Sequence, residues 1–474
     1  MLFLLFWIIT LSCRSVAKPN FLLIMIDDLR TTLGCYGDHN SYTPNIDHLA
    51  KQGIIFSQAY AQQALCAPSR NSILTSRRPD TLQLYDFYSY WRDTVGNFTT
   101  LPEYLKNNGY NTMSVGKIFH PEYHPLEKFK VPKPYAWPNN TDSVAYNPWI
   151  DLRKRKDIQR LHLKFPWEKI PENFAKLIIQ SYYGAVSYID DIIGKLIYQL
   201  HISKILKKTV IILTSDHGWS LGEHAEWGKY SNFDVSVHVP LIISIPFMTF
   251  KKTTEHFTEY NANTINKFKF EYKEYTNLRY SQIKKKGNKK NVTFLKHIDT
   301  FTKSDAIVEL VDIFPTIAEL AGIPVPICSN IEKKCDNNCK YPSVCTEGIS
   351  LLPLIKTILD KKIIPWKKAA FSQYPRPGIK PTLHPNSDEP HLKEIIIMGY
   401  SVKSHEYRYT AWIPFISENK TANWKIIISE ELYNHNYDSA EYFNLARSPD
   451  FLKKKIELRT LLQDGWRKAL PNYI

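Results

Sequence analysis

Phe21-Leu22-Leu23-Ile24-Met25-Ile26-Asp27-Asp28 decides the architecture. A run of six apolar residues without alternation reads as a strand buried on both faces, and the abrupt change to two aspartates puts carboxylates at its carboxyl end. Val210 to Leu213, followed by Thr214-Ser215-Asp216-His217-Gly218, repeats the design far downstream. In open α/β sheets the carboxyl ends of the strands line the ligand crevice, so these two acidic ends can converge on one metal ion. Taken singly, an acidic pair after a strand is more often a turn or a helix cap. Together the carboxylates suit Ca²⁺ or Mg²⁺, with His217 completing the site loosely or orienting a ligand.

Between and after these ends, Leu101 to Asn108 and Phe174 to Leu200 carry helical spacing, and Leu241 to Ile245 reads as another strand. The alternation predicts an α/β fold, a large mixed sheet between helices. A Lys-rich tract follows the Leu241 strand. Helical packing is expected to resume over Ala306 to Ala321, with Gly322 as its stop. Beyond a cysteine cluster and a Pro/Lys-rich stretch, Ile395 to Tyr400, Tyr407 to Trp412 and Trp424 to Ile428 read as strands of a smaller antiparallel sheet. The expected division is residues 1–17 as a signal peptide, 18–360 as the catalytic domain with 251–300 as a Lys-rich insertion, and 361–474 as a C-terminal α+β subdomain.

With 43% hydrophobic residues among 474, the chain can bury a large core. Met1 to Ser12 is apolar, too short to span a bilayer, and runs into Ser15-Val16-Ala17, which suits cleavage of a secretory signal after Ala17. No positive residue precedes that run, which keeps an uncleaved N-terminal anchor as an alternative; otherwise no stable membrane insertion is expected. Sequons at Asn97, Asn139, Asn291 and Asn419 fit a glycosylated luminal protein, in the lysosome or secreted. The formal charge of +15 favours polyanions, and a luminal location points to sulfated polysaccharide and away from nucleic acid. Much of that charge lies in the tract from Lys251 to Asp299, a composition more typical of a solvated insertion than of a binding surface. Cys328, Cys335, Cys339 and Cys345 crowd one polar stretch and are expected to form disulfides, with a zinc knuckle as the alternative. Cys35 reads as a small buried hydrophobe.

Cys66-Ala67-Pro68-Ser69-Arg70 carries the specific signal. It fits the C-x-P-S-R motif at which a formylglycine-generating enzyme oxidises the cysteine. With Ala61 to Leu65 before it, Arg77-Arg78-Pro79-Asp80-Thr81 after it, and Ser114-Val115-Gly116-Lys117, Ser231-Asn232-Phe233-Asp234 and Ser372 to Pro377 further on, the chain resembles the type I sulfatase family, in the alkaline-phosphatase-like superfamily, and within it the iduronate-2-sulfatases. Position by position, the resemblance implies that Asp27, Asp28, Asp216, His217 and the residue formed from Cys66 bind one Ca²⁺. It implies that the hydrated aldehyde at position 66 is the nucleophile, that Arg70 and Lys117 hold it, that His120 serves as a base in releasing sulfate, and that Lys229 contacts the sulfate and stabilises the leaving oxygen. The implied reaction removes 2-O-sulfate from terminal iduronate of the glycosaminoglycans heparan sulfate and dermatan sulfate.

One stretch departs from that pattern. The family places a further strand and a His-Lys-Pro-His type motif, whose histidine meets the sulfate, between the Gly-Lys-x-x-His segment and Ala145-Tyr146-Asn147-Pro148-Trp149. Here only Pro121 to Val144 join them, with His124 as their one histidine. The gap leaves a shortened working enzyme, a transcript missing exons, or a catalytically impaired relative that binds sulfated glycans. A phosphatase or phosphonate hydrolase of the same superfamily is a further reading, set back by Cys66 where a metallophosphatase would carry Ser or Thr.

Overall fold

The computed structural model describes residues 18–119, 161–162, 170–250, 301–328, 343–380, 382 and 384–471. The signal segment, the Lys-rich tract, Asn139, Asn291, His120, His124, Cys335 and Cys339 lie outside the described residues.

The apolar run becomes β1 (Asn20–Ile26) and its downstream counterpart β3 (Thr209–Ser215). The two pair parallel, with Ile26 opposite Ser215, so the acidic residues after each strand emerge side by side. β2 (Ile54–Tyr60), β6 (His238–Ser244) and β7 (Thr302–Glu309) complete a five-stranded mixed sheet in the order β1-β3-β6-β2-β7. Alternate residues feed opposite cores. Ile54, Val210, Ile212, Leu241 and Ile243 pack in one cluster with the helices Ile313–Leu320 and Leu352–Leu359. Ile55, Ile211, Leu213 and Ile242 pack on the other face in a cluster with α1 (Pro44–Lys51) and the helix Glu172–Ile202. Each fully buried side chain of this kind contributes roughly 1.5–3 kcal/mol, so the sheet is held rigidly from both sides.

The long helix is fixed to α1 by Asp190, whose carboxylate accepts from Ile46 N at 2.8 Å and from Asn45 Nδ2 at 2.8 Å. Gly194 allows the approach: a Cβ there would stand 2.5 Å from the Asn45 side chain. Leu101–Asn107 is helical as expected, and Gly322, at φ +68°, ends the helix Ile313–Leu320.

Ala306 to Glu309 are not helical, contrary to the expectation. Ile307 and Val308 pair with Gln58 and Ala59 of β2, a single 3-10 turn covers Leu310–Asp312, and α-helix begins only at Ile313. A short apolar run with two β-branched residues satisfies either pattern, and the parallel partner decides it.

A second sheet, wholly antiparallel, holds β8 (Ala370–Arg376), β9 (Ile397–Lys403), β10 (Tyr407–Ile416) and β11 (Thr421–Ala422) in the order β11-β10-β9-β8, with β12 (Ser429–Asn434) also paired to β10. The helix Leu452–Asp464 packs against it through Leu458 and Leu462. Trp424 to Ile428 is irregular, not a strand; Trp424 lies against Tyr400, with ring centroids 5.3 Å apart. Cys328 and Cys345 form a disulfide, which removes both from any zinc site. No helix among the described residues is long and apolar enough to cross a membrane.

Candidate active site

α2 (Cys66–Thr75) is buried along its whole length and presents Cys66 at its amino end, where the helix dipole favours negative charge. Four residues on, Arg70 lies on the same face. Its Nε donates to Asp216 Oδ2 at 2.7 Å, its guanidinium meets Asp27 at 3.1 Å, and NH1 donates to the Lys117 carbonyl. Lys117 Nζ reaches Asp27 Oδ2 at 2.9 Å. Lys229, from the turn after β5 (Trp227–Gly228), which pairs with β4 (Ser220–Leu221), sets its Nζ 2.8 Å from Cys66 Sγ and 3.0 Å from Asp28 Oδ1, within 6.0 Å of the ring centres of Phe87, Trp219 and Tyr230.

Cys66 Sγ is the focus, 3.4 Å from Asp27 Oδ1 and 3.2 Å from His217 Nε2. One ligand-type atom from each of Asp27, Asp28, Cys66 and His217 lies within 4.8 Å of the others. Asp216 stands beside this group, with Oδ2 3.4 Å from His217 Nε2 and turned to Arg70. Thus eight of the nine expected residues meet at one point, from segments scattered along the chain. His120, the ninth, lies outside the described residues.

Burial sets the electrostatics. It works against the charge on Asp27, but Arg70, Lys117 and Lys229 outweigh it and hold that carboxyl well below its usual range. Burial, against the opposing pull of Arg70, pushes Asp216 up to about 7, and Asp28 is also raised. Burial and then the nearby Asp27 charge push the Cys66 thiol up to about 12, so an unmodified cysteine here is a protonated thiol and a poor nucleophile at neutral pH. Burial and then Lys229 drive His217 well below its ordinary value, leaving it neutral. Its Nδ1 faces the Gly218 carbonyl at 3.0 Å, which fixes the proton there and turns the Nε2 lone pair toward Cys66.

Three crowded carboxylates, two of them, Asp28 and Asp216, with raised affinities for protons, beside an oriented neutral imidazole, are a donor set that fits a divalent cation. Counting these side chains alone, three carboxylates face three cations, so a bound divalent ion would leave the centre positive, as an anionic substrate requires.

Two supporting residues were not legible in the sequence. Asp28 has φ +62°, a left-handed conformation that costs a non-glycine residue about 1–2 kcal/mol. Tyr182, on the long helix, donates its hydroxyl to the Asp28 carbonyl at 2.8 Å and accepts from Arg30 N at 3.0 Å, which holds that turn. Ser215 Oγ accepts from Leu29 N at 2.9 Å and lies 2.7 Å from the carbonyls of Ile26 and His217, joining the two strand ends. A tyrosine on an apolar helix face carries no local sign of this role.

Comparison with known proteins follows the same line. The sulfatase family model matches residues 19–152 and 123–270, more than half of the chain. Human iduronate 2-sulfatase is 36% identical, with 90% of each chain covered, and the mouse enzyme is 35% identical over the same shares. The chain belongs to the sulfatase family. Sulfate-ester hydrolysis is accordingly the chemistry that this family places at such a centre. A solved structure of a 2-O GAG sulfatase matches with a TM-score of 0.59 at 20% identity, covering 96% of this chain and 93% of the other. A phosphonate monoester hydrolase of Agrobacterium radiobacter matches with a TM-score of 0.57 at 15% identity, covering 96% of each. At such identities these two establish the alkaline-phosphatase-like sulfatase fold and nothing finer. The human alignment runs over 533 positions, longer than this chain, so that relative carries segments absent here. The two family matches overlap over 123–152, which contains most of the shortened stretch.

Proposed function

We propose that this protein is a sulfuric ester hydrolase that removes 2-O-sulfate from terminal iduronate of heparan sulfate and dermatan sulfate, with formylglycine made from Cys66 and a bound Ca²⁺. The observation that carries the reading is the position of Cys66 Sγ, the point at which Lys229, His217 and Asp27 converge. Its sulfur stands in for the aldehyde carbon's oxygen substituent. The identity to iduronate 2-sulfatases supports the substrate, and the hard carboxylate oxygens of Asp27, Asp28 and Asp216 support Ca²⁺. Formylglycine supplies a carbonyl that hydrates to a nucleophilic diol, and the cation favours its ionised form.

The chain's own groups do the rest. Arg70 and Lys117 fix Asp27 and supply positive charge beside position 66. His217, held by Gly218, keeps a lone pair on the same point. Lys229 donates to whatever atom occupies the Sγ position, and as a buried cation it stabilises negative charge that grows there. His120 is assigned the base that releases sulfate. The formylglycine-generating enzyme is the maturation partner, delivery is to the lysosome or outside the cell, and the exposed sequon residues Asn97 and Asn419 support glycosylation.

A second reading, a catalytically impaired glycan-binding relative or a product of an incomplete transcript, rests on a separate observation. Among the described residues β1 is the outermost strand of its sheet, apolar from Phe21 to Ile26 yet only half-buried, and Met113 and Val115 are 88% and 85% exposed just before the shortened stretch. Protein made in a host that forms formylglycine should hydrolyse a 2-sulfated iduronide. An aldehyde at position 66 with no turnover of either that substrate or an aryl sulfate would select the impaired reading, and sequencing the messenger across Val115 to Asn147 would show whether exons are missing.

A further inference from the structure

Between the turn Arg78–Thr81 that follows α2, the strands β8 and β9 and the C-terminal helix lies a cavity of about 190 Å³. Its walls include the rings of Phe371, Tyr400, Trp424 and Trp466. Two of its polar side chains are almost fully buried and each has an unpartnered atom, Gln62 Oε1 and Arg78 Nε. An unmet buried acceptor and donor in one aromatic-walled cavity are costly unless something brings them partners.

The electrostatics of the cavity oppose those of the active centre. The terminal nitrogens of Arg78 are both spent on Glu309, at 2.8 Å each, so its charge is cancelled in place. Asp80 lines the same space with an accessible carboxylate, to which Gln373 Nε2 donates at 2.8 Å and Tyr400 at 3.2 Å. A sulfate or carboxylate would meet Asp80 without a free cation to offset it among the lining residues. The fitting ligand presents apolar faces to the rings, hydroxyl donors to Gln62 Oε1 and Asp80, and an acceptor to Arg78 Nε.

We infer that this cavity is a saccharide site distinct from the active centre, which takes one uncharged pyranose ring against β8, β9 and the C-terminal helix. Its ligand is either a free or separately attached sugar, or an unsulfated unit of the glycan whose sulfated end is at Cys66.

The test uses the full chain and N-acetylglucosamine, with N-acetylglucosamine 6-sulfate as the charged control, followed by ligand-observed NMR. The neutral sugar should bind with a dissociation constant on the order of 1 mM, and the sulfated one at least about tenfold more weakly, as expected when a charge is left unpaired. Gln62→Met and Trp424→Ala should each weaken the neutral sugar by about tenfold or more, as expected for a lost hydrogen bond or a lost stacking wall, with aryl sulfate turnover unchanged. A raised KM of these variants for a sulfated oligosaccharide, with unchanged KM for the aryl sulfate, would assign the sugar to the substrate chain. Unchanged KM for both, with the monosaccharide effect intact, would assign it to a separate glycan. Absence of saturable binding in the parent protein, or equal binding in both variants when both remain folded by their melting temperatures, overturns the proposal.

Discussion

Two buried charge clusters lie at opposite ends of α2. At its amino end Asp27, Asp28 and Asp216 meet Arg70, Lys117 and Lys229; past its carboxyl end Glu309, Asp312 and Glu347 meet Arg78 and Lys367. The second cluster closes on itself. Arg78 grips Glu309 with two bonds, Lys367 reaches both Glu309 and Asp312 within 2.9 Å, Glu347 accepts from Arg78 N and Thr81, and Phe371 N completes Glu309. The first aims its atoms at one point, Cys66 Sγ, and keeps a left-handed aspartate to do so. Like materials therefore serve opposite ends: one cluster fastens β7 and β8 to the exit of α2, and the other holds charge ready for a reacting group.

That contrast breaks most sharply at Cys66. Cys66→Ala should lower sulfate ester turnover by roughly 10⁴-fold or more, the scale for losing a nucleophile, while the thermal melting point stays near that of the parent. Lys367→Met should do the reverse. Removing one partner of a buried ion cluster costs about 3–5 kcal/mol, which urea unfolding would read, with turnover per folded molecule preserved.

Ca²⁺ separates the clusters next. At a hundredfold excess over its dissociation constant it should stabilise the protein by about 2.7 kcal/mol in a calorimetric melt, and Asp216→Asn should remove most of that gain while Lys367→Met leaves it. Tyr182→Phe should lower kcat by about tenfold, about 1.4 kcal/mol, with KM little changed, because the hydroxyl holds the Asp28 turn.

The smallest effect is in the pH dependence. Burial opposes the charge on Glu309, yet Arg78 and Lys367 prevail and hold its carboxyl well below the ordinary value of 4.5. A depressed carboxyl contributes stability that is present above the unfolded value and lost as pH falls below it. Melting points should therefore drop below pH 4.5 in the parent, and Lys367→Met should flatten that drop.

The sequence made the active cluster far more legible than the fastening cluster. Phe21 to Asp28 and Val210 to Gly218 announced paired strand ends because uninterrupted apolar runs that stop in acid have few other readings, and the C-x-P-S-R motif named the residue at the focus. Glu309 and Lys367 carried no such sign, since a buried ion pair between distant segments is written only in the fold. β8 was also hidden: Pro375 argues against a strand, but β8 is the edge of its sheet, where a missing N–H is tolerated. Ala306 to Glu309 and Trp424 to Ile428 were misread where local pattern could not say which neighbour would pair.

The most direct test of the account is mass spectrometry of the peptide from Gln52 to Arg70, taken from protein made in a host with the formylglycine-generating enzyme and assayed in the same sample on a 2-sulfated iduronide. An aldehyde at position 66, in proportion to turnover, is the predicted result. Sulfate release by protein whose Cys66 remains a thiol would contradict it.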